Sequence, residues 1–390
     1  MTHRHAPFVD DRPLIIERVD VKLLRVPPSV PWEDSTHRVP AIEIIVLELF
    51  VDGRIATGLS YTVGVGGTAV RALLRDYCAA ELVGRDARYV VGAWSSLFHH
   101  LRRTGMGAIT TLALAAIDTA LWDMRALASG RPLFLEIGGH AGSVQAYTSG
   151  IDLHLDPEQL FNVQRREQEK GYEWFKIKVG HSRLEDDVAR VAAAREAIGS
   201  DAKLVLDANQ GWDVIEAVRR CRAFEPYDIT WIEEPLVPED VQGHAEIRRR
   251  TGMPVAVGES LYTAEAFRNY LTADAVDIIQ ADIPRVGGIT PWLRIADLAA
   301  AWNKPVAPHF FVELSVHALC AVDNAMVLEN VRGGSLHDLG LARQPVSVVG
   351  GRGSPPEAAG HGVQLALAEN AEFVVPDAGY SFTDVRSHKE

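Results

Sequence analysis

The sequence has few of the features that direct a chain to a membrane, a secretory route or a nucleic acid. No apolar run approaches the ~20 residues of a bilayer span, and the start, "MTHRHAPFVDDRPLIIERVDVKLLRVPP", is too polar for a secretory signal. The expected location is therefore cytoplasmic. Positive charge is in deficit: 39 basic against 52 acidic residues give a formal net charge of -13. That balance repels phosphate backbones and anionic lipid, so neither a nucleic-acid nor a membrane partner is expected. Cysteine is scarce. Cys78, Cys221 and Cys320 are odd in number and lack a CxxC spacing, which argues against a disulfide framework and a zinc site. What remains is 390 residues, 47% of them hydrophobic, enough for one barrel with an accessory unit or for two domains.

Two patterns divide the chain. The first part alternates "IERVDVKLLRV" and "AIEIIVLELFVDG", with a turn at Asp52-Gly53, as an antiparallel sheet does. Helical periodicity then runs through "AVRALLRDYCAAEL" and "ITTLALAAIDTALWDMRALA" and stops at Gly130 and Pro132. Residues 1–140 thus read as an α+β domain. Beyond Gly139 come eight short apolar segments: "VQAYTSG", "FKIKVG", "KLVLDAN", "DITWIEEP", "PVAVGE", "VDIIQADI", "KPVAPHF" and "MVLEN". Helix-length stretches separate them, so the spacing predicts βαβ units and a parallel sheet over residues 141–335. Eight units favour a closed barrel, although periodicity leaves an open doubly wound sheet possible. Residues 336–390, with "GGRGSPPEAAGHG", read as a loop-rich closing segment. Its glycines lack the strand-to-helix context of a phosphate loop.

The polar residues fall into register with the strands. Asp207, Glu233 and Glu259 recur at a constant interval of 26 residues, and Asp282, His309 and Glu329 follow at similar spacing. That is about one βα unit, so each belongs to a successive strand and faces the C-terminal mouth, where barrel enzymes keep their active sites. Three converging carboxylates repel unless a cation joins them. Oxygen ligands without Cys or His suit Mg²⁺, with Mn²⁺ second; each carboxylate alone would equally serve as a helix cap or a lysine partner.

Lys176 and Lys178 share one face of the second strand. Neighbouring positive charge and burial bias them toward losing protons, which would make a general base. Asp282 and His309 sit on adjacent strands, where a carboxylate fixes the imidazole tautomer and supplies a second acid or base.

These residues together resemble the mandelate racemase subgroup of the enolase superfamily. "KIK", the Asp, Glu and Glu on the next three strands, the Asp/His pair and the final Glu carry the resemblance. So do "AIDTALWDMRALASGRPLFLEIGG", "WIEEPL" and "RVGGIT". The family implies an α/β fold, a modified TIM barrel (β/α)₇β under an N-terminal α+β capping domain, whose shared step removes the proton α to a carboxylate on Mg²⁺. It implies one Mg²⁺ per subunit on Asp207, Glu233 and Glu259. Lys178 would be the base on one face, and His309, oriented by Asp282, the acid or base on the other. Lys176 would contact the carboxylate oxygen, and Glu329, kept protonated, would donate a hydrogen bond to it. Asn209 and Ser149 are secondary substrate-binding candidates. The family also implies a homo-oligomer, often assembled through the capping domain, and a closing segment at "FVVPDAGYSF".

Two bases on opposite faces permit dehydration or racemisation. "WIEEPL", "RVGGITPWLRIADLA" and "APHFFVELSVHA" look closer to talarate/galactarate-type acid-sugar dehydratases than to mandelate racemase. The favoured reading is loss of a β-hydroxyl to give a 2-keto-3-deoxy sugar acid, with a 2-hydroxy-acid racemase or epimerase as the alternative. The loop "PPSVPWEDSTHR" offers Trp32, His37 and Arg38 to the substrate. "SYTVGVGG" has no basic residue, which puts a diacid in doubt. A non-catalytic sugar-acid binder would not need Lys178 and the Asp282/His309 pair, and a hydrolytic metal barrel would want an HxH on its first strand.

Overall fold

A computed structural model describes residues 12–376. Residues 1–11, at the start of the first expected domain, and 377–390, with the larger part of "FVVPDAGYSF", lie outside the described residues.

The capping unit is an antiparallel meander of β1 (Arg18–Val26), β2 (Ile42–Val51) and β3 (Arg54–Val63), ordered β1-β2-β3. Asp52 and Gly53, both with positive φ, make the turn from β2 to β3, as the Asp-Gly pair predicts. One face of the meander packs against the 22-residue helix Ala108–Ser129. The approach is close at Gly58, where an added Cβ would sit 1.7 Å from the Ala116 carbonyl oxygen; only glycine fits there. Gly130 ends that helix in the left-handed conformation.

The second unit is a mostly parallel sheet. Its strands are β4 (Val144–Ser149), β5 (Trp174–Lys178), β6 (Lys203–Asp207), β7 (Ile229–Glu233), β8 (Val255–Val257), β9 (Ile278–Ile279) and β10 (Leu328–Val331), which pairs back onto β4. Helices between them start on side-chain caps the sequence supplies. Asp156, Asp213, Asp240 and Thr263 each accept a hydrogen bond from a first-turn backbone N–H. Inside the sheet Tyr147, Val205, Trp231, Ala256, Ile278, Ala307 and Val327 form an apolar layer of their own, from inward positions of successive strands.

Two expectations change. "KPVAPHF" is not a strand. The ladder is continuous only from β4 to β9, and single parallel bridges, Ile279 to Val306 and Val306 to Ala325, lead on toward β10. Pro305 and Pro308 have no N–H to give, and between them Val306 and Ala307 donate to the carbonyls of Asn324 and Ile279. The closing segment is also more ordered than a loop. β11 (Ser347–Val349) and β12 (Arg352–Ser354) form a hairpin whose β12 adds antiparallel to β4. Gly350 and Gly351 both have positive φ, the two-residue turn a Gly-Gly pair between short strands favours. Val375 N donates to Leu23 O of β1 at 2.8 Å, and Arg71 holds the Val375 and Pro376 carbonyls.

Candidate active site

β5 ends in Lys176-Ile177-Lys178, and the strand period puts both lysines on the inner face. In-register pairing sets Lys178 beside Asp207 of β6, and Asp207 beside Glu233 of β7. Glu259 follows β8 and joins them. Carboxylate oxygens of Asp207, Glu233 and Glu259 lie within 4.8 Å of one another, and all three residues are buried. Lys176 Nζ is 2.8 Å from Glu233 Oε1, 2.7 Å from Glu329 Oε1 and 3.3 Å from Asp207 Oδ2. Lys178 Nζ is 2.5 Å from Asp207 Oδ2.

The electrostatics correct two expectations. Burial disfavours the charge on both lysines, but Asp207 beside Lys178, and Glu233 and Glu329 beside Lys176, outweigh it and hold both above the ordinary lysine value. The opposite expectation counted the neighbouring ammonium and a cation on the carboxylates, and left out the direct pairing of each lysine with those carboxylates. Glu329 does not keep a proton to donate. Burial raises its pKa, yet Lys176 outweighs that and brings it to about 2, so it accepts, from Lys176 and from Phe310 N at 2.7 Å.

The cluster fits a small divalent cation. Burial and then the Asp207 charge push Glu233 well above the usual carboxylate range, and a cation held by the three carboxylates would favour its ionised form. Glu259 Oε2 is buried and accepts no hydrogen bond. Three converging hard oxygen donors, one of them an oxygen that accepts no hydrogen bond, suit Mg²⁺ or Mn²⁺.

His309 faces this cluster from another part of the ring. Its Nδ1 is 2.8 Å from Asp282 Oδ2 and its Nε2 is 3.3 Å from Glu259 Oε2. Burial opposes protonation, but the Glu259 charge and the Asp282 hydrogen bond raise His309 above the ordinary histidine value. Asp282 lies beyond the two-residue β9, held at Oδ1 by the Arg285 N–H at 2.8 Å.

A cavity of about 280 Å³ opens over these groups, with Lys178, Asn209, Glu259 and His309 on its floor side and Trp32 and His37 from the loop of the capping unit. Asn209 N donates to Asp207 Oδ1 at 3.0 Å, and its side-chain Oδ1 is buried without a partner. Trp32 is buried against Phe310, and His37 is exposed at the rim. Two expected substrate contacts are absent from the lining. Ser149 is buried beside Lys176 in the sheet with its hydroxyl unpartnered, and Arg38 is exposed, its backbone bridged to Glu33. The loop tip instead docks through Ser35, whose Oγ donates to Ala208 O at 2.6 Å.

Sequence reasoning missed Gln280, Tyr61, Arg285, Gln210 and Ser260. Gln280 Nε2 donates to Glu233 Oε2 at 2.6 Å, and alternation with Asp282 was a signal for it. Tyr61 lies in a stretch notable for lacking charge, yet its hydroxyl donates to Asp282 Oδ2 at 2.7 Å. Arg285 lines the cavity and donates to Glu259 O at 2.8 Å. Gln210 Nε2 bonds Glu234 Oε2 and Ser260 Oγ at 2.7 and 2.8 Å; nothing in local pattern marks that trio.

Residues 18–138 match the mandelate racemase/muconate lactonizing enzyme N-terminal domain, and 161–369 the enolase C-terminal domain-like family. The chain is 36% identical to a 3,6-anhydro-alpha-L-galactonate cycloisomerase of Streptomyces coelicolor, over 90% of this chain and 97% of that one. It is 35% identical to an L-talarate/galactarate dehydratase of Salmonella typhimurium, over 82% and 81%. Among solved structures, an L-talarate dehydratase from Polaromonas complexed with Mg and L-glucarate superposes with a TM-score of 0.84 at 32% identity, covering 93% of this chain and 98% of that one. The chain belongs to the mandelate racemase/muconate lactonizing enzyme family of the enolase superfamily.

Proposed function

We propose that the protein is a magnesium-dependent acid-sugar dehydratase that converts a polyhydroxy carboxylate to a 2-keto-3-deoxy acid. One observation carries the reading: Lys178 and His309, from segments that are not neighbours in the sheet, reach the same Asp207/Glu233/Glu259 cluster and line the same cavity. A cation on those three carboxylates would supply Lewis acidity to the substrate carboxylate. Lys178 takes the α-proton, for which it must first give up its proton and its contact with Asp207. Lys176 offers positive charge where negative charge develops on the carboxylate oxygens. The β-carbon–oxygen bond then breaks with its electron pair, and His309, oriented by Asp282, protonates the departing oxygen. Asn209, Trp32 and His37 would meet the rest of the substrate. Assembly as a homo-oligomer belongs to the same proposal.

The cycloisomerase relative supports a second reading on the same site. If the departing β-oxygen is part of a ring in the substrate, it stays tethered to the product and the reaction is an isomerisation. Racemisation needs only that His309 return the proton to the α-carbon. The experiment is a panel of aldonic, aldaric and anhydro-aldonic acids with Mg²⁺, read by semicarbazide for keto product, by mass, and by α-deuterium uptake in D₂O. A keto product lighter by one water supports dehydration, and one of unchanged mass supports ring opening. Exchange or epimerisation without keto product would replace both with racemisation.

A further inference from the structure

We infer that Tyr61, supplied by β3 of the capping unit, is a positioning residue for the Asp282/His309 pair. The inference rests on the proposed role of His309 as the group that protonates the departing oxygen.

The two donors meet at one atom. Tyr61 Oη donates to Asp282 Oδ2 at 2.7 Å, the oxygen that faces His309 Nδ1 at 2.8 Å. Asp282 Oδ1 is taken by the Arg285 N–H, so the carboxylate is fixed from three directions. Only one of them comes from the capping unit. Tyr61 is 2% exposed, and its ring is held by the residues that follow His309: Phe310 at 5.0 Å between centroids, and Phe311 stacked at 5.6 Å. Arg285 covers the ring as well, at 5.7 Å.

That packing addresses a weak point in the ring. His309 stands where the regular ladder has failed, after Pro308, and both Phe310 and Phe311 have positive φ, a conformation that non-glycine residues adopt only at an energetic cost. A segment of that kind keeps its shape only when its surroundings determine it. Tyr61 does so twice, through its ring against Phe310 and Phe311 and through its hydroxyl against Asp282. The seating of the capping unit thereby reaches His309 directly, whereas Lys178 is fixed by strand pairing.

Tyr61→Phe tests this, since it keeps the ring and deletes one hydroxyl. The Nδ1–H proton of His309 is followed by NMR on the full chain, in the far-downfield region, and assigned by its loss in His309→Asn. In Y61F that resonance is expected to move downfield, because Asp282 Oδ2 then serves one donor instead of two. With the acid that the wild-type protein converts, product should fall by ~10- to 100-fold, the range for losing a partner of an oriented histidine. Deuterium exchange through Lys178 should stay at its wild-type rate. An unmoved resonance, or equal loss of exchange and product, would overturn the positioning role. If the wild-type protein converts no acid, the dehydratase reading falls, and the resonance still decides for or against Tyr61.

Discussion

The two sides of the mouth are built by different means. On one side Lys176, Lys178, Asp207 and Glu233 stand on adjacent parallel strands whose register alone brings them level. On the other, Asp282 lies beyond a two-residue strand, His309 follows a single bridged residue, Val306, between two prolines, and packing from the capping unit completes the arrangement. The ladder is enough to place a side chain where every backbone N–H has a partner. Where proline removes donors, a second unit takes over that task. The base side should therefore tolerate changes in the capping unit that the histidine side does not.

The largest effect expected is on the ladder side. Lys178→Ala should abolish both keto product and α-deuterium exchange, by at least the ~10²–10⁴-fold that a general base contributes. Melting temperature should fall as well, because removing one partner of a buried ion pair leaves Asp207 without its closest counter-charge. Normal turnover by this variant would remove Lys178 from the mechanism. His309→Asn comes next and separates the two sides. Product should fall by ~10²–10⁴-fold, while exchange at the α-carbon persists whenever Lys178 faces that proton. Loss of both would make His309 the abstracting base and exchange the roles of the two faces.

The same contrast governs what could be read from the sequence. Asp207, Glu233 and Glu259 were legible because three equal βα units carry them, and an interval in sequence becomes a rung in the sheet. Lys176 and Lys178 were legible as a shared face, but their charge state was not. That depends on how near Asp207 and Glu329 come, which periodicity does not contain. "KPVAPHF" has a strand's apolar content, yet its prolines reduce it to a bridge, and the proline rule outweighs the apolar pattern. The hairpin at Gly350-Gly351 carried its signal openly, and the glycine-rich context masked it. Tyr61 had no local signal. Its role comes from a contact between residues more than two hundred positions apart, and the absence of Ser149 and Arg38 from the cavity lining has the matching reason, since strand position and charge do not say what a side chain reaches.

A smaller effect should come from the loop that closes over the ladder side. Ser35 sits in a notch made by two glycines: a Cβ built on Gly180 would lie 2.5 Å from Ser35 Cβ, and one on Gly211 would lie 2.8 Å from Ser35 Oγ. Gly180 has φ +123°, so substitution there adds backbone strain. Gly211 lacks that complication. Gly211→Ala should displace Ser35 from Ala208 O and loosen the loop bearing Trp32 and His37. KM should rise by up to ~10-fold, the equivalent of about 1.4 kcal/mol of lost docking, with kcat largely kept. An unchanged KM would mean that the loop does not hold substrate.

The effect expected to leave turnover untouched lies where the capping helix is fastened to the barrel on the histidine side. Asp118, fully buried in the helix Ala108–Ser129, accepts the Thr290 N–H at 2.8 Å at the start of the helix Ile289–Ala301, and its other oxygen is buried without a partner. Burial pushes its pKa up to about 7 from an ordinary 3.8, against the hydrogen bonds from Thr290. Between those values the folded chain holds a proton that the unfolded chain has released. The contribution of Asp118 to stability therefore falls as pH rises from about 4 to about 7, while His317, lowered by burial to about 3, contributes with the opposite sign. Glu313, raised by burial to about 7, acts with the same sign as Asp118. Asp118→Asn keeps an oxygen for Thr290 and cannot titrate. It should match the wild-type protein near pH 4 and exceed it near pH 8 by on the order of a few kcal/mol, the difference between the two proteins isolating Asp118 from the other groups that titrate in both. Denaturant unfolding at a series of pH values measures this. Parallel curves for the two proteins would show that Asp118 is charged throughout, and that the junction between the two units is held by an ionised carboxylate.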